Sequence, residues 1–164
     1  MVDIQTVSVM LASASVIVGV IYYALQLRHQ NRMRQTDLVM RLYLLWDSKE
    51  FRDMLMEVHN LQFKDYEDFV KKYGPWLSKG PAQTAITVVA SYYLRVGFLL
   101  YKKIIDIDFI YNLIGFLPIK LYWEKTKPVT IGLREQYNDP RIFGWVEYLY
   151  DEMKKREQQQ AKIG

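Results

Sequence analysis

Arg52 and His59 stand seven residues apart, a separation that places both on one face of a helix. A titratable imidazole near an arginine is a combination that could do acid–base chemistry, although a histidine and arginine simply facing water satisfy the same spacing. Asp106 and Asp108 form a D-x-D pair, a spacing that can hold a divalent metal. Aspartates placed just before an apolar helical run act first as caps, however, and Asp108 is expected to cap a helix through Phe109, Leu113 and Ile114. The remaining composition narrows the chemistry further. With no cysteine and two histidines in 164 residues, the chain has no disulfide framework, no thiolate nucleophile and no conventional zinc site. There is no phosphate-binding glycine loop, no G-x-S-x-G elbow and no histidine pair for a metal. We therefore assign no catalytic, cofactor-binding or metal-ligating residue.

The elements that would have to position any site begin with an unusual one. Val7 to Leu27 carries no charge and is close to the ~20 residues a helix needs to cross a bilayer core. Asp3 is the only charged side chain before it, while Arg28, Arg32, Arg34 and Arg41 follow. The positive-inside bias then predicts a single-pass helix with the N-terminus outside and the C-terminal side in the cytoplasm. A cleaved signal peptide fits poorly, because the basic leader is missing and Ala12-Ser13-Ala14 precedes most of the apolar residues. Tyr22 and Tyr23 fall near the cytoplasmic end, where aromatic rings prefer the water boundary. Ser8, Ala12, Ser15 and Gly19 recur on one side of this helix, a small-residue stripe that suits close packing against another membrane helix. Arg28, Arg32 and Arg34 are expected to contact anionic lipid, since the charges that set topology also lie beside the headgroups.

The rest of the chain reads as helices. Hydrophobic residues make up 51% and charged residues 24%, with a net charge of +4, which suits one water-facing domain with one apolar appendage. Leu38, Leu42 and Leu45 keep an apolar face with no Gly or Pro from Arg28 to Trp46, so the first helix can continue past the membrane. Asp47 with Glu50 resembles a capping box, Asp65 caps a short helix ending at Gly74-Pro75, and Pro81 opens the most apolar segment of the domain. That segment carries Arg95 near its middle and would deliver Lys102 and Lys103 to the outside if it crossed the membrane, so we read it as a buried bundle helix. Pro118 and Pro128 are expected in first helical turns, and Asn138-Asp139-Pro140 ends one helix and begins another. The last helix places Ile142, Trp145, Leu149 and Met153 on one face, and its polar end is expected to fray. No strand alternation is evident.

Three stretches, YLRVGFLLYKKIIDIDFIYNLIG, LYWEKTKPVTIGLRE and NDPRIFGWVEYLYDE, resemble a family of short bacterial and archaeal proteins with a conserved domain of unknown function. The resemblance runs from Tyr93 to about Leu149 and rests on Tyr93, Val96, Gly97, Asp106, Tyr122, Trp123, Glu124, Arg134 and Pro140. It implies one N-terminal membrane helix followed by a helical cytoplasmic domain, and no activity. Many members carry an acidic residue after the tyrosine, where this chain has Leu94. Gly97 can allow a close helix approach, and Glu124 with Arg134 could pair around Trp123. Tyr93, Arg95, Trp123, Glu124 and Arg134 are thus a candidate structural or ligand-binding cluster. Arg52 and His59 also match the loose R-x(4–6)-H pattern of the all-α HEPN ribonucleases.

The sequence thus predicts an all-α protein with a membrane anchor and basic exit over 1–34, a cytoplasmic helical bundle over 35–157 and a polar tail over 158–164. Its expected role is that of an accessory or interaction subunit in the cell membrane, with lipid and either a second copy or another membrane protein as partners. No cofactor and no nucleic acid are expected. A sensor of a small or nucleotide-like ligand is the alternative, which a pocket with convergent arginines and aromatics would favour, and a membrane-tethered ribonuclease is the weaker one.

Overall fold

Helix-forming and helix-stopping residues divide the chain into seven α-helices in the computed structural model, which describes residues 3–161. No strand occurs among the described residues. Two compact units are separable, one up to Leu38 and the other from Val39 onward. The first unit is helix α1 (Ile4–Trp46) as far as Leu38, and its side chains from Ala12 to Arg34 are all exposed. The last three residues of the expected polar tail lie outside the described residues.

The second unit has its own core. It contains the end of α1, with Val39 and Leu42 buried, then α2 (Lys49–Asn60), α3 (Tyr66–Tyr73), a short 3-10 turn (Trp76–Ser78), α4 (Pro81–Tyr101), α5 (Ile107–Ile114), α6 (Phe116–Tyr137) and α7 (Gly144–Gln160). The four helices α2, α4, α7 and α6 close a ring in that order, each against the next, while α3 lies on α6 and α5 on α7. Four-helix rings of this kind bury one stripe from each member. In α4 the buried stripe is wide, running from Ala82 to Leu100. By length and composition α4 is apolar enough to cross a membrane, but half of that apolar window is buried inside the protein. Helices that are apolar on most sides are core helices as readily as membrane spans.

The caps show where local signals held and where they shifted. Asp65 accepts from the Asp68 backbone N–H at 2.8 Å and Gly74 ends α3 with a positive φ of 88°, while Pro81 occupies the first turn of α4. The expected capping box at Asp47 is displaced by one residue: Ser48 is the cap of α2, its hydroxyl accepting from the Phe51 N–H at 3.2 Å. Likewise Asp106, and not Asp108, caps α5, accepting from the Asp108 N–H at 2.9 Å. Pro118 does lie in the first turn of α6, but Pro128 lies in its interior. Proline there removes one backbone donor and would end an isolated helix. Buried Val129, Thr130 and Leu133 beyond it hold the last turns against the bundle, and tertiary packing overrides the local signal. Asn138, left-handed at φ 49°, does end α6, but α7 begins only at Gly144. Ile142 therefore precedes α7, whose buried face is Val146, Leu149 and Met153. The helix runs on to Gln160, past the expected start of the polar tail.

Two glycines let a neighbouring helix pack directly against their own backbone. A Cβ on Gly97 would overlap the Trp145 carbonyl, so α4 meets α7 at van der Waals distance there. A Cβ on Gly132 would overlap the ring of Tyr66, which brings α3 onto α6. At both places a larger residue would force the helices apart.

Candidate functional site

The residues of the expected cluster are present but divided among different environments. Tyr93 is fully buried, in an aromatic core with Trp46, Phe51, Tyr92 and Tyr122. Ring centroids there lie 4.8 Å apart for Phe51–Tyr92 and 5.1 Å for Tyr93–Tyr122. The Tyr122 hydroxyl donates to the Ile86 carbonyl at 2.9 Å. The hydroxyls of Tyr92 and Tyr93 are buried with no protein partner, and burial pushes both phenol pKa values upward, so neither ionises near neutrality. Such neutral aromatics supply apolar area, not acid–base chemistry.

Trp123 faces elsewhere, packing on Tyr150 at 6.2 Å. Arg95 and Glu124 are exposed. The expected Glu124–Arg134 pair does not form. Arg134 instead binds Glu147 of α7 at 2.8 Å and donates through Nε to the Ile142 carbonyl at 3.0 Å. The reason is geometric: ten residues along one straight helix separate Glu124 from Arg134 by roughly 15 Å, whereas α7 lies against α6. Arg134 thus fastens the α6–α7 corner. Nothing in the sequence spacing points to Glu147, which only the return of the chain brings close. Gln83 is similarly unannounced: a buried amide at the start of α4, it donates to the carbonyls of Tyr73 and Gly74 at 2.9 and 3.0 Å and holds the preceding turn.

Arg52 and His59 share helix α2 and face different surroundings. Arg52 is exposed and turns toward Asp47, donating to its carbonyl at 2.9 Å with its carboxylate at 3.5 Å. His59 is half-buried, and its Nε2 is enclosed without a protein partner. Burial first, and the Lys125 ammonium second, lower its pKa below the ordinary histidine value, so the neutral imidazole is favoured at pH 7. Arg52 thus turns toward Asp47, while His59 is enclosed two turns further along α2. The D-x-D pair is also committed, Asp106 to its cap and Asp108 to Arg156 at 2.5 Å. Among the described residues no group of three or more histidine or acidic side chains could hold a metal ion.

Several open clefts mark the bundle surface. One between α3 and α6 is lined by Asp65, Tyr66, Glu67, Ile131, Glu135 and Gln136, acidic and without an arginine. Another, beside the 3-10 turn, is mostly apolar, with Trp76, Leu77 and Val88. Neither gathers arginines with aromatics around an enclosed volume.

On α1 the small residues Ser8, Ala12, Ser15 and Gly19 are exposed, as are Arg28, Arg32 and Arg34. A Cβ on Gly19 would meet nothing within 4 Å. The flanking apolar side chains are also exposed, Val16 and Val18 at 65% each and Leu25 at 58%.

Residues 11–153 match DUF4760, a domain of unknown function. The chain belongs to this family. Neither a curated protein nor a solved structure matches it. The DUF4760 match opens inside the uncharged stretch and closes at Met153 on the buried face of α7, so it takes in most of α1, all of α2 to α6 and the first part of α7, and extends well upstream of Tyr93.

Proposed function

We propose that this DUF4760 protein is an accessory or interaction subunit of the cell membrane. In this reading it is anchored by the first part of α1, with its helical bundle in the cytoplasm, and it docks through the small-residue side of that helix. The observation that carries this is the contrast between the two units. From Val39 onward the chain buries its own core, with Val58, Phe69, Ile86 and Val129 at 0% exposure, while Val16, Ile17, Val18, Val20 and Ile21 are each more than half exposed. Leaving a large aliphatic side chain in water forgoes about 1.5–3 kcal/mol, and a run of them calls for lipid or another helix. An uncharged run of this length suits a bilayer, and the arginines after Leu27 favour a cytoplasmic bundle and contact with anionic headgroups. Within lipid, Ser8, Ala12, Ser15 and Gly19 offer the close backbone approach that holds membrane helices together.

The test separates insertion from association. Gly19→Leu adds bulk on the small side and keeps the segment apolar enough to insert; Val18→Leu alters a different side of the helix. Crosslinking in membranes, or native mass in mild detergent, should show assembly weakened by the Gly19 change and not by the control. Equal assembly in the two variants would leave the helix as an anchor alone. Full recovery of the wild-type protein in the soluble fraction would refute the membrane reading altogether.

A further inference from the structure

Helix α5 is a second apolar element only partly covered by the bundle. Six of its eight residues are aliphatic or aromatic, yet Ile110 alone is buried. Phe109 and Leu113, one turn apart and so on the same face, are 42% and 38% exposed. The turn before α5 adds Ile104 at 42%, and the start of α6 adds Leu117 at 62%. Ordinary surfaces carry scattered apolar residues, but a contiguous run of them marks a contact surface.

The charges beside this face indicate what it contacts. Lys102 and Lys103 are exposed in the turn that leads into it, and Lys103 is held left-handed at φ 54°. The Lys102 ammonium lies 5.6 Å from the Tyr101 ring centre and 5.8 Å from that of Phe98. Both rings are at least two-fifths exposed. The acids nearest in sequence make contacts within the protein, Asp106 on its cap and Asp108 on Arg156, and Glu157 of α7 accepts from the Tyr111 hydroxyl of α5. Short apolar helices edged by lysine and aromatic rings sit at the boundary between headgroups and acyl chains, where the rings and aliphatic residues enter and the ammonium groups meet anionic phosphates.

We propose that the α5 face, with Lys102 and Lys103, is a second membrane contact that rests the bundle on an anionic bilayer surface. This deepens the anchor reading and rests on it. Arg28 to Leu38 is all that separates the uncharged run from Val39, the first buried residue of the bundle. Even fully extended, that stretch reaches on the order of 40 Å, so the bundle never leaves the vicinity of the bilayer. Tethering turns adsorption into an intramolecular event, and Phe109 and Leu113, with the exposed apolar and lysine side chains of the flanking turns, then suffice.

The absence of cysteine makes single labelled positions direct to install. The full chain is reconstituted in phosphatidylcholine vesicles with and without phosphatidylserine, carrying an environment-sensitive fluorophore at Leu113→Cys, at Leu77→Cys on the 3-10 turn, or at Val18→Cys in α1. Quenching by acyl-chain nitroxides and by aqueous iodide is compared. Position 113 should be quenched by the nitroxide lipid in the anionic vesicles, and at least threefold less in phosphatidylcholine alone or when Lys102→Gln and Lys103→Gln are combined. Position 77 should follow iodide throughout. Iodide quenching at 113 equal to that at 77 would overturn the proposal, and so would shielding from both quenchers, which would mean that a second copy or another protein covers the face. Failure of nitroxide quenching at position 18 would instead refute the anchor, whereas the α5 contact stands or falls with the quenching at position 113.

Discussion

Gly97→Ala places a methyl group where α4 meets the backbone of α7. The added Cβ would overlap the Trp145 carbonyl, with the carbonyl carbon at 2.9 Å and the Trp145 Cβ at 3.3 Å. A flexible side chain could swing aside, but these atoms belong to a helix backbone pinned by buried Val146, Leu149 and Met153. The helices must therefore separate, and overpacking of this kind costs about 1–3 kcal/mol, with the upper end expected where backbone is the obstacle. Alanine is a better helix former than glycine by ~1 kcal/mol, which offsets part of that cost. The net loss should be about 2 kcal/mol. For a chain of this size each kcal/mol lowers the melting temperature by ~2–4 °C, so the shift should be ~4–8 °C. Gly144→Ala is the control, since its Cβ would meet nothing within 4 Å, and surface changes of that kind stay within ~0.5 kcal/mol. Thermal melts in mild detergent, followed by far-UV circular dichroism and by the near-UV aromatic signal to which Trp145 contributes, provide the assay. That indole packs on Tyr101 at 4.6 Å and on Phe98 at 5.9 Å, so its signal reports the same contact. If Gly97→Ala melts within 1 °C of the wild type, the α4–α7 approach is not as close as the geometry requires.

Stability should fall as pH drops below the ordinary histidine value of 6.5, because burial and Lys125 depress the His59 pKa in the folded protein and the unfolded chain then binds the proton more readily. His59→Gln should flatten that part of the profile in urea titrations between pH 7 and 5.5; an unchanged slope would contradict the assignment. The wild-type protein is expected to show no metal-independent cleavage of RNA, and robust cleavage abolished by His59→Ala with folding intact would reinstate the Arg52–His59 pair. A reporter fused after Gly164 should behave as cytoplasmic, and activity on the outer side would reverse the topology. A fragment beginning at Met33 should remain folded and helical in aqueous solution, since the core from Val39 onward is self-contained; loss of its near-UV signal would show that α1 is needed for folding.

Capping chemistry and apolar periodicity act over a few residues, and what they govern was legible without the fold. Asp65 and Gly74 bound α3, Pro81 opens α4, Asn138 ends α6, and the stripe from Ala82 to Leu100 marks the buried helix of an all-α domain. The cap shifts from Asp47 to Ser48 and from Asp108 to Asp106 are one- or two-residue choices among neighbouring oxygen acceptors, which sequence alone leaves nearly degenerate. The resemblance through Val96-Gly97 marked a glycine for close approach, but only the packed helices named Trp145 as what it approaches. Pro128 stops a helix locally and fails to stop α6, because buried residues on both sides of it outweigh one missing hydrogen bond. The polar partners distant in sequence were decided by tertiary structure alone. Arg134 had an acid ten residues away on its own helix and took Glu147 from α7, and Asp108 took Arg156 across 48 positions of chain. An ion pair needs its charges within about 4 Å, and for charges far apart in sequence only the folding of the chain back on itself determines which meet.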